Sequence, residues 1–221
     1  MNSFKYLYIC IVSLAVISES PANAEEFVDC VIGERTTVLK KDQFGFNAFP
    51  DLPISVIDRR PLRYLLTVGW QGSTYLMEGN SFESSRPVKK VLSPSQKSGA
   101  YDEKYAGIGS SVKLPQNGEI LSFVHGEQHT GGMKDGVYRF YATVGLVVSN
   151  DGGRSFSRVG PVISGRPQDP NWKGTAQGNA NASVIIDHTG KWLYAYYTEH
   201  SRRDPASGRV RSVVTLSLIH I

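Results

Sequence analysis

The stretch Ser149-Asn150-Asp151-Gly152-Gly153-Arg154-Ser155-Phe156, SNDGGRSF, separates two apolar runs, YATVGLVV (141–148) and VGPVI (159–163). Three readings compete for it: a plain hairpin turn, a calcium loop, or a fold-specific turn whose aromatic plugs a core. An EF-hand loop needs oxygen ligands at positions 1, 3 and 5 and a carboxylate at position 12. Counting from Asp151, those later positions hold Gly153, Ser155 and Val162, so the carboxylates are missing. Asp-Gly and Gly-Gly supply the positive φ of a tight hairpin. A generic hairpin does not call for a serine two residues before the aspartate or an aromatic five after it.

The flanking chain shows what such a turn serves. Ser110–His129, SSVKLPQNGEILSFVHGEQH, aligns with Ala182–Ser201, ASVIIDHTGKWLYAYYTEHS. Ser111-Val112, Gly118, Leu121 and Glu127 match Ser183-Val184, Gly190, Leu193 and Glu199, always 72 residues apart. Gly136, Arg139 and Thr143 match Gly208, Arg211 and Thr215 at the same offset. A shorter, weaker copy begins at Ser55-Val56, with Leu65 in the place of Leu193. Within the second copy the pattern predicts strands at Ser111–Leu114, Glu119–His125, Val137–Ser149 and Ser157–Ile163. Val, Ile, Tyr, Phe and Thr dominate them, and Gly, Pro and Asn punctuate. No segment sustains a helical period. Four antiparallel strands recurring about every 70 residues describe an all-β chain of β-propeller blades. A β-sandwich also has many short strands, but not an in-register repeat of this length. The chain supplies about two and a half blades of an expected five or six.

The opening stretch then finds its match. Ser149-x-Asp151-x-Gly153-x-Ser155-Phe156 resembles the Asp-box (BNR repeat), the S-x-D-x-G-x-T-W turn of sialidases and related propellers, with Ser for Thr and Phe for Trp. Serine and aspartate oxygens are expected to accept backbone N–H groups inside the turn. The aromatic is expected to pack between blades, so the role of Asp151 is structural. The segment SVKLPQNGEILSFVHGE also resembles the first-blade sialidase pattern, in which R-I-P runs into L-P-x-G-x-L-L-A-F-x-E-G-R. There the arginine of R-I-P falls on Gly107, the glutamate of E-G-R on His125 and its arginine on Glu127. The blade layout is similar to five-bladed glycoside hydrolases of the family-43 and family-32 kind, which use three carboxylates on different blades around a central funnel.

Chain reversal at each turn places the chemistry. The start of each first strand and the end of each second strand share one face, opposite the Ser149–Phe156 turn. Before the first strands stand Asp51, Asp102, Glu103, Asn179 and Asn181; after the second strands stand His125, Glu127, His129, Glu199, His200, Arg202 and Arg203. Trp70 follows the second strand of the weak first copy. An acid, a base or nucleophile and an aromatic platform are what glycoside hydrolysis uses. The residues expected to be catalytic are Asp51, Asp102, Glu127 and Glu199. Those expected to hold substrate are Trp70, His125, His129, His200 and Arg202. HGEQH sets His125, Glu127 and His129 at period two, a possible metal chelate, but it is not HExxH and no helix carries it. No cofactor is expected. GIGSSV (107–112) lacks the third glycine and the helix of a dinucleotide fingerprint. Asn181-Ala182-Ser183 is a formal glycosylation sequon.

The reading is therefore a secreted or periplasmic, glycoside hydrolase-like propeller acting on a carbohydrate. Its alternatives are a non-catalytic carbohydrate- or protein-binding propeller, and a sialidase-like exo-enzyme without the usual arginine. Composition bounds the rest. The net charge of +4 comes from scattered Lys and Arg with no basic stripe, so nucleic acid is not an expected partner. Residues 1–24 read as a signal peptide: Lys5, an apolar stretch from Tyr6 to Ile17, and Ala22-Asn23-Ala24 as cleavage site. That stretch is too short to span a bilayer. After cleavage one cysteine, Cys30, remains, so no disulfide framework is expected and burial is its default. Residues 25–215 are expected to form the N-terminal part of the propeller. The last residues, LSLIHI (216–221), follow a point where the repeat should continue toward another such turn. They can be encoded by CTG TCT CTT ATA CAC ATC, the transposon end used in sequencing libraries, and are expected to be a non-native tail.

Overall fold

The structure is a computed structural model, describing residues 37–40, 42–46, 50–134, 136–165, 167–172, 174–203 and 210–220. The proposed signal peptide and Cys30 lie outside the described residues. Among the described residues, alternating apolar residues between glycine-rich turns form eleven strands. The first sheet comprises β1 (Ser55–Arg59), β2 (Leu62–Val68), β3 (Ser73–Gly79) and β4 (Arg86–Leu92). The second comprises β5 (Tyr105–Lys113), β6 (Ile120–Lys134), β7 (Val137–Ser149) and β8 (Ser157–Ile163). The third group is β9 (Ala176–Ile186), β10 (Trp192–Arg203) and β11 (Val210–His220). Each sheet meanders antiparallel in chain order. First strands neighbour one another, β1 beside β5 and β5 beside β9. These are blades of a β-propeller stacked face to face.

Two cores hold the blades together. Between the first and second lie Leu65, Leu76, Leu92, Ala106, Ile108, Val124 and Val147. Between the second and third lie Leu121, Phe123, Val144, Ile163, Val184, Leu193 and Ala195. The third blade is also tied on by hydrogen bonding. The outer edge of β7 is shared: Val144–Val148 pair with β8, whereas Phe140–Ala142 pair in parallel with Ala176–Gly178 of β9. Gly178 makes the close approach possible, since it has φ +88° and a Cβ there would stand 2.1 Å from the Ala142 carbonyl oxygen.

The predicted β7 and β8 coincide with the observed strands. β5 and β6 run longer than expected, to Tyr105 and to Lys134. Gly107 and Gly109 hide the first extension. The second is a polar, glycine-rich hairpin, bulged between His129 and Met133, that rises beyond the sheet.

The repeat is real, but its period is 73 residues. Lys113 pairs with Ile120 and Ile186 with Leu193, and both members of the later pair stand 73 residues on. Packing agrees. Leu121 looks toward the third blade, whereas Leu193 looks back toward the second from across the same core. Leu65, packed toward the second blade from the first, likewise matches Leu121 and not Leu193. Strand side chains alternate faces, so a one-residue slip reverses every position. The counterpart of Glu127 is therefore His200, and the expected equivalence of Glu127 and Glu199 does not hold.

The Ser149–Phe156 turn joins β7 to β8. Ser149 Oγ donates to Asp151 Oδ1 at 2.8 Å and accepts the Gly153 amide at 2.8 Å. Asp151 Oδ1 accepts the Arg154 and Ser155 amides at 2.9 Å each, and Oδ2 accepts the Ser155 hydroxyl. Gly152 and Gly153 take φ of 71° and 83°. Phe156 is half-buried and packs against the core between the first and second blades. Arg63 of the first blade reaches across to donate to the Gly152 carbonyl.

Partial burial pushes the Asp151 carboxyl up, but the bonds from Ser155, Ser149 and Arg154 outweigh it and hold the group at about 2. The sign follows from linkage. The depressed group stabilises the fold above its unfolded value of about 3.9, and that contribution is lost as pH falls toward 2. The stability gap between the protein and Asp151→Asn is expected to close between pH 5 and pH 2. Denaturant titrations at successive pH values check this; a gap constant with pH would contradict it.

Candidate functional site

A cleft of about 420 Å³ opens where the β2–β3 and β6–β7 connections meet the starts of β1 and β5. It lies at the far end of β6 from the Ser149–Phe156 turn. The Glu127 end of β6 is seven residues from Ile120, which pairs with Ser149, or about 23 Å at 3.3 Å per residue.

Asp51 reaches the cleft because the chain before β1 pairs with the end of β2, through Pro50 opposite Val68 and the Asp51 amide to the Thr67 carbonyl. A Cβ at Gly69 would sit 3.1 Å from that of Asp51, so the glycine leaves the carboxylate its room. Tyr105 opens β5 directly opposite Glu127 of β6. Its hydroxyl donates to Asp51 Oδ2 at 2.9 Å. Burial pushes the phenol far up, and the Asp51 and Glu127 carboxylates push it further. The proton therefore stays on Tyr105, between two carboxylates.

Glu127 is flanked by histidines. His125 Nε2 lies 2.9 Å from Oε1 and His129 Nε2 lies 3.6 Å from Oε2. Against an ionised Glu127, which only accepts, His125 would donate from Nε2; its buried Nδ1 has no protein partner. Tyr105 and Phe140 hold the His125 ring edge-on, at 5.3 and 6.1 Å. His200 is near enough that His125 affects it: burial, then the His125 charge, lowers its proton affinity.

Of the expected catalytic residues, the cleft brings together Asp51 and Glu127. Asp102 is fully buried outside the cleft lining, with Oδ2 2.7 Å from Arg158 Nε of β8. Glu199 pairs with Asn179 across β9 and β10 and is likewise absent from the lining. Among the expected binding residues, His129 lines the cleft, His125 stands behind Glu127 and His200 neighbours His125. Trp70 lies in a short 3-10 turn (Gly69–Gln71) at the same rim and Arg202 in β10, but their side chains fall outside the described residues. Among the described residues, no group of three or more His, Cys, Asp or Glu is arranged to hold a metal.

Sequence reasoning missed Tyr105 and Tyr138. Tyr105 sits two residues from Glu103, which was singled out, but a buried tyrosine at a strand start carries no signal of its own. Position 107 is closed. A Cβ on Gly107 would lie 2.6 Å from Leu52 Cδ1 and Tyr105 Cε1 and 2.8 Å from Thr67 Cγ2. The place where a sialidase-type arginine would stand has no space for a side chain.

No family model and no curated protein matches this chain. Its structural neighbours include glycoside hydrolases, all at low identity. An N-acetylgalactosamine deacetylase from F. plautii, in complex with blood group B trisaccharide, is 13% identical over 77% of this chain and 49% of its own, with a TM-score of 0.46. An exo-beta-1,3-galactanase from Phanerochaete chrysosporium, with beta-1,3-galactotriose, is 12% identical over 77% of this chain and 38% of its own, with a TM-score of 0.45. The endo-arabinase from Bacteroides thetaiotaomicron is 13% identical over 76% and 55%, with a TM-score of 0.42. The chain spans about half or less of the length of these structures. At such similarity none of them assigns chemistry to these residues.

Proposed function

We propose that the protein is a secreted or periplasmic glycoside hydrolase-like propeller, and that its cleft binds a carbohydrate whose glycosidic bond is cleaved between Asp51 and Glu127. The observation that carries this reading is the convergence of Asp51, Tyr105 and Glu127 on one open cleft. Hydrolysis needs two carboxyl groups: one protonates the leaving oxygen, the other activates water or attacks the anomeric carbon. Tyr105 would position Asp51 through its hydrogen bond. His125 and His129 would hold the Glu127 carboxylate in place.

A chromogenic-glycoside screen run beside a glycan array tests the proposal. Turnover of at least one glycoside is expected, with the corresponding glycan retained on the array. Retention without turnover by any glycoside points to a carbohydrate-binding propeller. Neither retention nor turnover removes the carbohydrate reading altogether. Comparing pH–rate profiles of Asp51→Asn and Glu127→Gln would decide which carboxyl acts as the acid.

A further inference from the structure

The outer halves of β6 and β7 form a hairpin whose His129, Val137, Tyr138 and Phe140 line the cleft. From the Glu127–Ala142 pair it continues to the Lys134–Val137 pair, five residues along β7 and a rise of about 17 Å at 3.3 Å per residue. It carries Tyr138, 46% exposed in a position that lines the cleft. Tyr138 stacks on His129, with centroids 4.6 Å apart and planes 16° from parallel. His129 in turn faces Glu127. One face of the phenol is thus fixed against a ring whose other contact is the proposed reaction centre, leaving the opposite face uncovered by that stack.

We infer that Tyr138 is the platform of a second sugar position, so that the protein acts on a glycan of at least two residues; this rests on the carbohydrate reading above. A sugar ring presents a face of C–H groups with slight positive charge, and an aromatic face is negative. A ring already stacked loses little freedom when a ligand covers it, the condition under which an aromatic anchors a partner most effectively. The cleft volume of about 420 Å³ lies within the range that encloses ligands larger than one small ring. One sugar would sit at Asp51 and Glu127, and the next would lean on Tyr138 along the hairpin wall.

Calorimetric titration of the full chain with neutral homotrisaccharides of hexoses and pentoses, and with their methyl monosaccharides, tests this. With Tyr138→Ala the Kd for the bound trisaccharide is expected to rise at least about 10-fold, and that for its monosaccharide less than about 3-fold. Tyr138→Phe keeps the ring and is expected to keep trisaccharide affinity within about 3-fold. Equal losses for both sugars in Tyr138→Ala would mean that Tyr138 acts only by positioning His129, and would overturn the platform. Unchanged trisaccharide affinity, or a loss in Tyr138→Phe as large as in Tyr138→Ala, would overturn it too while leaving the carbohydrate reading standing. Failure of the unaltered protein to bind any of these sugars would overturn both.

Discussion

Glu127→Gln is expected to lower turnover of the responsive glycoside by about 10²–10⁴-fold, the usual contribution of a positioned acid or base. The amide keeps the shape of the side chain and can still accept from His125 Nε2, now 2.9 Å from Glu127 Oε1. It cannot exchange a proton with the leaving oxygen or with water, and it cannot form an ester with the anomeric carbon. The loss is expected in kcat, with KM moved little, because the ring-binding surfaces of the cleft stay in place. Asp51→Asn is expected to behave alike. The double variant should lose little more than the weaker single one, since two groups that act together do not contribute additively. A Glu127→Gln variant retaining turnover within about 3-fold would sink the carboxylate-pair mechanism and leave Glu127 as a bracket for two histidines.

Arg158→Ala is expected to cost about 1–3 kcal/mol of folding stability, the range for leaving a buried acceptor unsatisfied, below that of a fully buried ion pair because the arginine is itself partly solvated. Asp102 is 1% exposed in its side chain and Arg158 is 37% exposed. Removing the arginine leaves this buried carboxylate without its ion-pair partner. Its second oxygen, Oδ1, is already buried with no protein partner, so no neighbour takes over the charge. Tyr101 closes the site from the adjoining position. Its ring covers Gly126 and Gly145, where a Cβ would approach within 2.5 and 2.2 Å. Removing both charges with Asp102→Leu and Arg158→Met is expected to recover most of the loss, because an apolar pair leaves nothing uncompensated. Equilibrium denaturant unfolding of the single and double variants measures it. A cost below about 0.5 kcal/mol for Arg158→Ala would be that of an exposed surface pair and would reopen Asp102 as a functional group.

The contrast between Asp102 and Asp51 marks where the sequence stops informing. Both aspartates precede the first strand of a blade, and both were candidates on that ground. The all-β class, the limits of β7 and β8, the hydrogen-bonding turn at Ser149–Phe156 and the rim that carries the polar loops were legible in the chain. Each depends on local chemistry: period-two alternation, glycines at positive φ, and short oxygen-bearing side chains beside free amides. Register was not legible. The β5–β6 hairpin closes at Leu114 and Glu119 with Gly118 directly before Glu119, whereas the β9–β10 hairpin closes at Asp187 and Trp192 with Gly190 two residues before Trp192. Aligning the two glycines slips the strands by one residue, and alternation turns that slip into the opposite face of the blade. For this reason the sequence paired Glu127 with Glu199, while the packed sheets pair it with His200. Which carboxylate meets which depends in the same way on blade-to-blade packing. The Pro50–Val68 bridge swings Asp51 over the cleft, and Arg158, 56 residues downstream, draws Asp102 into the protein. Contacts across such separations leave no local pattern, so only the tertiary structure decided them.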